Sequence, residues 1–498
     1  MTLPLLLSVF VVATCGLIYE LVAGALASYL LGDSITQFST VIGVYLFAMG
    51  VGSYISRFID RNRLVVFVRV ELLVGVLGGF SSTILFLVFS QGAFFGLVLY
   101  LLVFLIGVGV GLEIPLLMNI LQNEMSFRDL VSKVLSFDYI GALVASVAFP
   151  ILLLPHLGLI RTALLFGMLN VSVAMVFAVV FSREHVGLRP LQWISGFILA
   201  CMLSTFVFGD DILEVAEASI YQDPVIYSAQ SPYQRVVLTR AGNSLRLFLN
   251  GHLQFDSMDE YRYHEALVHV GLHGMKTKRH VLILGGGDGL AAREVLRYPE
   301  VETVTLVDLD PAVTALFRDS APLAALNKNS LKDARVSIVN ADAFVWLRSP
   351  PAKYDFAIID LPDPTNFSIG KLYTTAFYQL LRSALTPEGV AVVQSTSPLM
   401  ARQSFWCVHD TLRAAGFDTR PYHTYVPSFG EWGFILVGAK FPEETGILPA
   451  NLSFLAPELL STLFYFPPDM SPLPSEINRL NNQALVHYYE KDWSRYGL

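Results

Sequence analysis

The stretch HVLILGGGDGLAAREVLR, from His280 to Arg297, decides the fold of the C-terminal half. His280–Leu284 is an apolar run of strand length, Gly285-Gly286-Gly287-Asp288-Gly289 is a loop, and Leu290 onward opens a helix. Without side chains, such a loop lets the backbone approach a ligand closely. Downstream, apolar strands are predicted near 303–307, 335–339, 355–360, 389–394 and 432–438, with helical stretches between most of them. Alternating strands and helices imply a mostly parallel sheet covered on both faces. Ligands of such sheets bind beyond the carboxyl ends of the strands.

Acids stand at those ends. Asp308, followed by Asp310, closes the second strand, where an acid commonly holds ribose hydroxyls. The third strand ends at Asn340-Ala341-Asp342, and the fourth at Asp360-Leu361-Pro362-Asp363-Pro364. Any single strand-end Asp serves equally well as a helix cap. Acids at strand end after strand end are harder to attribute to capping. Carboxylates repel phosphate, so the ligand should be cationic and nucleoside-like: a sulfonium nucleoside beside an amine.

Upstream, residues 223–256 alternate apolar and polar, and Asn250-Gly251 supplies a hairpin turn, which predicts a small antiparallel β unit. A helix over 259–274 follows, opened by Asp259 and Glu260 at the positive end of its dipole. The tail, 447–498, shows prolines and a predicted helix at 475–490, and no chemistry is legible in it.

Residues 1 to 208 are different in kind: apolar runs broken by short polar loops. A hydrocarbon core of roughly 30 Å needs about 20 apolar residues. That rule gives spans near 4–30, 36–55, 64–90, 93–121, 134–155, 159–182 and 191–208. Gly50, Gly52, Gly107, Gly109 and Gly111 favour close helix packing. Glu20, Glu71, Glu113 and Asp138 fall inside these spans, where a charge is expensive. They form either a path or site for a cation, a polyamine included, or protonated or hydrogen-bonded struts that knit helices together, with Glu71 paired to Arg69. Arg57, Arg61, Arg63, Arg128, Lys133, Arg183 and Arg189 fall in alternate loops, which the positive-inside rule assigns to the cytoplasm. Seven spans then put the soluble half outside, whereas its chemistry needs cytosolic substrates. The expectation adopted is a multi-pass inner (plasma) membrane protein with a cytoplasmic catalytic domain. Lys and Arg number 33 against 41 Asp and Glu, without a basic run, so nucleic acid is not an expected partner. Cys15, Cys201 and Cys407 lie far apart and suit neither a metal nor a disulfide framework.

Several short stretches, in order, carry a resemblance: Tyr233-Gln234, Leu249-Asn250-Gly251, Asp259 to Glu265, Gly285 to Gly289, Asp342-Ala343, Asp360 to Pro364 and Leu372-Tyr373. Together they resemble the motif set of spermidine synthases over residues about 220–440. Joined to a multi-span N-terminus, the chain resembles the membrane-bound bacterial members of the polyamine aminopropyltransferase family. The resemblance implies a Rossmann-like domain of the class I methyltransferase type, preceded by the β unit and an all-α transmembrane bundle. The divisions expected are 1–208, 209–275, 276–445 and 446–498.

It also implies the chemistry. Decarboxylated S-adenosylmethionine is a co-substrate, no cofactor or metal is bound, and a diamine such as putrescine accepts the aminopropyl group. Gln234, Asp308, Asp342 and Ala343, with the loop at Gly285 and Gly287, would hold the nucleoside, and Asp288 the aminopropyl ammonium. His264, Asp288 and Asp363 would line the amine site. Asp360 would be the base, with Tyr263 as a hydrogen-bonding relay. A homo-oligomer is compatible with the sequence, and so is His264 as a plain helix-face residue. The departures are Asp308 where Glu is usual, Leu361-Pro362 between the paired acids, Thr365 to Ser368 in place of Gly-Pro, and a late loop at Tyr425–Trp432 that fits only with a gap.

Two other readings stand beside this one. A methyltransferase on the same fold must accept a methionine carboxylate, which Asp288 would repel. A transporter or sensor that binds polyamines without turnover would use the intramembrane acids.

Overall fold

A computed structural model describes residues 2–31, 34–90, 94–122, 126–183, 185–209, 221, 223–441 and 446–496. Two compact units result, Met1–Val225 and Ile226–Leu498. Positions 210–220, where the β unit was expected to begin, lie outside the described residues.

The first unit is helical: α1 (Thr2–Leu31), α2 (Ser34–Ser56), α3 (Arg63–Ser90), α4 (Phe95–Leu121), α5 (Phe127–Ala148), α6 (Leu154–Val180) and α7 (Arg189–Val207). Among the described residues, six stretches are long and apolar enough to cross a membrane. The fifth, Phe127–Val180, is 54 residues long and covers the span expected at 134–155 and all but the last two residues of that expected at 159–182. It breaks where Gly158 takes φ +67° and ψ −177°. Helix contact depends on glycine: a Cβ on Gly52 would lie 2.0 Å from the Val108 carbonyl oxygen, and one on Gly111 2.1 Å from that of Met49. Gly50, by contrast, faces open space. The outward face of α7 is apolar, with Trp193 83% and Phe197 72% exposed.

The second unit opens with strands β1 (Val225–Gln230), β2 (Arg235–Ala241), β3 (Ser244–Leu249) and β4 (His252–Asp256), adjacent in that order. β2, β3 and β4 pair antiparallel, and Asn250 and Gly251 turn the chain with φ of +50° and +82°. Then come β5 (His280–Gly285), β6 (Thr303–Asp308), β7 (Val336–Asn340), β8 (Tyr354–Asp360), β9 (Leu385–Gln394), β10 (Asp418–Val426) and β11 (Gly430–Gly438). Their order is β10-β11-β9-β8-β5-β6-β7.

The sheet is mixed. β9, β8, β5, β6 and β7 run parallel, while β11 and β10 add an antiparallel edge. β10 was not expected, because Pro421 and a polar run argue against a strand. The edge position lets Pro421 lack a ladder donor without harm. β5 is buried on both faces: Val281 and Ile283 enter one core with helix Glu260–Leu272, and Leu282 and Leu284 enter another with helices Thr375–Ala384 and Arg402–Ala414.

Candidate active site

Parallel pairing brings the acidic strand ends together. Gly285 is level with Asp360 across β5 and β8, and Asp308 with Asn340 across β6 and β7. The glycine loop fits because it has no side chains where strand ends crowd. A Cβ on Gly285, at φ +84°, would lie 2.0 Å from the Asp360 carbonyl oxygen, and one on Gly287 2.7 Å from Asp308 Oδ2. The Gly287 amide instead donates to Asp308 Oδ2 at 3.0 Å, and the Asp310 amide to Oδ1 at 2.9 Å. Asp308 thereby fixes the loop.

Tyr263, on helix Glu260–Leu272, donates from Oη to Asp360 Oδ1 at 2.6 Å. Its ring packs against Phe429 and Phe434, and Trp432 backs Phe429. His264 Nδ1 lies 2.8 Å from Glu260 Oε2, and Arg293 holds both oxygens of the same Glu260 at 2.8 and 2.9 Å. Burial disfavours the His264 cation, but the Glu260 hydrogen bond and the charges of Glu260, Asp288 and Asp360 outweigh it, and its pKa rises to about 9. The ring is therefore an imidazolium at neutral pH.

Burial raises Asp288 to about 6, with His264 opposing and Asp360 adding to the shift. Burial also raises Asp308 to about 6, against the two backbone amides that stabilise its charge. Asp360 is raised by burial and restrained by His264 and Tyr263. Asp288, Asp308 and Asp360 thus share one electrostatic neighbourhood, yet each keeps part of its surface accessible.

The remaining sequence candidates are placed differently. Gln234 donates from Nε2 to Asp310 Oδ2 at 3.0 Å, beside Ser231 Oγ at 2.7 Å. Asp342 caps the helix beginning at Ala343 through the Phe344 amide, 2.8 Å, and meets Lys371 Nζ at 2.6 Å. Burial opposes its charge, but Lys371 and the capping amides hold its pKa below the usual value. Asp363 is half-buried, raised by desolvation and restrained by three donors: Gln394 Nε2 at 3.1 Å, Tyr489 Oη at 3.0 Å and Thr396 Oγ1 at 3.1 Å.

Tyr489 corrects the reading of the tail. The expected helix at 475–490 is observed at Ala484–Ser494, and it delivers a hydroxyl to the site. Asn478 anchors it by donating from Nδ2 to the carbonyl oxygens of Gly370 and Tyr373 at 3.2 and 3.0 Å. No motif surrounds Tyr489, and 126 residues separate it from Asp363. Lys371 lies directly before the noted Leu372-Tyr373 and was findable as a cation among acids. Among the described residues, no group of three or more His, Cys, Asp or Glu side chains is placed to hold a metal ion.

The family profile described as spermine/spermidine synthase domain matches residues 260–444. A polyamine aminopropyltransferase of Leptospira interrogans is 50% identical over 495 residues, 99% of each chain. Polyamine aminopropyltransferase 2 of Ralstonia nicotianae is 52% identical over 501 residues, 98% of each chain. Both matches run through the apolar helical half as well. A crystal structure of spermidine synthase in complex with the transition-state analogue AdoDATO is 29% identical, with a TM-score of 0.46, over 49% of this chain and 85% of the other.

Proposed function

The chain belongs to the polyamine aminopropyltransferase family and is an enzyme of that class, and from this premise we propose that it moves the aminopropyl group of decarboxylated S-adenosylmethionine to a diamine such as putrescine, giving spermidine and methylthioadenosine. Membership in an enzyme class sets aside the methyltransferase and binding-only readings. The observation that supports the proposal most is the 2.6 Å Tyr263–Asp360 hydrogen bond within a cluster of partly accessible acids.

In the reaction a neutral amine nitrogen attacks the aminopropyl carbon next to sulfur. The C–S bond breaks, its electron pair passes to sulfur, and methylthioadenosine leaves. An alkylamine is protonated at neutral pH, with the Lys reference at about 10.4, so it must give up that proton before its nitrogen can attack. Asp360 accepts it, and Tyr263 orients that carboxylate and relays the proton outward. Burial raises the proton affinity of Asp360 and so makes it a better base.

Asp308, reached through the glycine loop at Gly285 and Gly287, takes the ribose; Asp342, Ala343 and Gln234 bound the rest of the nucleoside. Asp288 holds the aminopropyl ammonium, which lacks the carboxylate that an acid would repel. Asp363, held by Tyr489, receives the distal ammonium of the diamine. His264, being charged, lines the amine site as a counter-charge to Asp288 and Asp360, since an imidazolium does not bind an ammonium.

The same reading makes residues 1–208 a membrane domain, 209–275 a β unit with its helix, 276–445 the catalytic domain and 446–498 a tail that completes the acceptor site. Six long apolar stretches among the described residues, and the exposed Trp193 and Phe197, support insertion in the inner membrane. The catalytic domain is cytoplasmic on this reading, because both charged substrates are cytosolic.

Mass-spectrometric product analysis over a panel of amines tests the proposal. Methylthioadenosine should appear together with an aminopropylated amine, and Asp360→Asn should slow it at least about 100-fold, the lower scale of general-base effects. An unchanged rate in Asp360→Asn would refute the assignment.

A further inference from the structure

The helical unit contains a polar cluster that aminopropyl transfer does not use. Glu71 on α3 and Glu113 on α4 are fully buried. None of their four carboxylate oxygens has a hydrogen-bond partner among the described residues. Arg69, the partner expected for Glu71, is exposed and makes no ion pair with it among the described residues. For Glu71 and Glu113 the hydrogen-bonded form of the strut reading is therefore not observed among the described residues.

Two further side chains, from two other helices, complete the cluster. Tyr19 on α1 and Asn170 on α6 are 1% and 0% exposed, and the Tyr19 hydroxyl and both polar atoms of the Asn170 amide are unpartnered. Tyr19 and Asn170 both pack along the α3 face that carries Glu71. Glu71, Gly75 and Gly78 share a face of α3. A Cβ on Gly78 would lie 2.5 Å from the Tyr19 ring, and one on Gly75 3.3 Å from the Asn170 Cβ. On α4, Gly109 faces Val74 of α3, and Glu113 follows one turn later on the same side. The charges of Glu71 and Glu113 act on each other and on Cys15 and Tyr19.

A buried carboxyl without donors is held by its own proton or by a cation, because a bare charge there is prohibitively expensive. Six unpartnered oxygen atoms from four helices are buried here: four from the carboxyls, one phenol and one amide. We propose that Glu71 and Glu113, closed by Tyr19 and Asn170, bind one singly charged cation inside the helical unit in exchange for a carboxyl proton. The ligand chemistry is a single positive charge that prefers oxygen, either a small metal ion or a primary ammonium head. Entry ionises one carboxylic acid and releases its proton, so charge balances. The other titratable groups acting on this cluster are Cys15 and Tyr19 on α1, Tyr45 on α2 and Asp138 on α5, with Glu20 acting through Tyr45.

The test is proton release from the full chain in detergent, followed with a pH indicator in weak buffer. Sodium, potassium and methylammonium chlorides are added at equal ionic strength, with choline chloride as the oversized control. Wild type should release about one proton per chain with at least one of the three and none with choline, and half-saturation should fall about tenfold per unit rise in pH. A response to the metals alone identifies an inorganic site, and a response to methylammonium alone an ammonium site. Glu71→Gln and Glu113→Gln should each abolish release while aminopropyl transfer, the measure of folding, persists. If either loses transfer, Tyr19→Phe and Asn170→Leu should weaken half-saturation instead. No release from wild type, or equal release from wild type and the carboxamide variants, overturns the proposal.

Discussion

Replacing Tyr489 by Phe removes a single oxygen from the tail helix and tests whether the tail belongs to the acceptor site. Tyr489 Oη donates to Asp363 Oδ2 at 3.0 Å, and that oxygen also receives Thr396 while Oδ1 receives Gln394. A hydrogen bond to a charged group is worth about 1.5–3 kcal/mol. With two donors left on Asp363 the lower end applies, which is about tenfold in binding. The sign with pH is fixed by the carboxyl. Burial raises the pKa of Asp363 and Tyr489 is among the donors that lower it, so the Phe variant leaves it higher and more often protonated. A protonated Asp363 holds an ammonium poorly. The KM for the diamine should therefore rise about tenfold near neutral pH, and the variant-to-wild-type ratio should shrink as pH rises. Steady-state kinetics at fixed saturating donor, repeated with the substrates exchanged, reads this directly. An unchanged diamine KM, or an equal rise for the donor, would mean that Tyr489 only packs the tail.

Two further outcomes follow from the site. Asp288 and Asp308 both stand at about 6, so kcat/KM for the donor should fall as pH drops through that value, by more than tenfold per unit where both protonate together; a flat donor profile between pH 5 and 8, on the order of the range a His or shifted acid covers, would contradict the assignment of those acids. Gly285→Ala should lower the melting temperature of the full chain far more than Gly251→Ala. Both positions have positive φ, +84° and +82°, but only at Gly285 does the new Cβ meet a backbone oxygen, at 2.0 Å. The shared conformational penalty is about 1–2 kcal/mol, and overpacking adds about 1–3 kcal/mol at Gly285 alone. Equal shifts would show that the loop relaxes freely.

How much of this was legible in the sequence depended on how local each signal was. The strand, glycine loop and helix of His280–Arg297 read directly, because apolar period, glycine run and helix start are neighbours in the chain. Strand ends bearing Asp308, Asp342 and Asp360 followed from the same pattern. β10 did not, because Pro421 contradicts a strand unless its edge position is already known. Asp342 illustrates a different limit: its type and place were evident, but its side chain is engaged by Lys371 and by the amide of Phe344, which spacing alone does not reveal. Tyr489 was invisible, since only folding brings it to Asp363. In the helical half, apolar length predicted the spans, but the break at Gly158 depends on a backbone angle that composition does not encode.

The decisive experiment compares kcat/KM for decarboxylated S-adenosylmethionine with that for the ordinary carboxylated form, in wild type and in Asp288→Asn. A like-charge contact costs several kcal/mol, so wild type should prefer the carboxyl-free donor by at least about 100-fold, and the asparagine variant should lose much of that preference. Equal turnover of both donors by wild type, or a preference that survives the loss of the Asp288 charge intact, would show that the ring of acids does not select the donor.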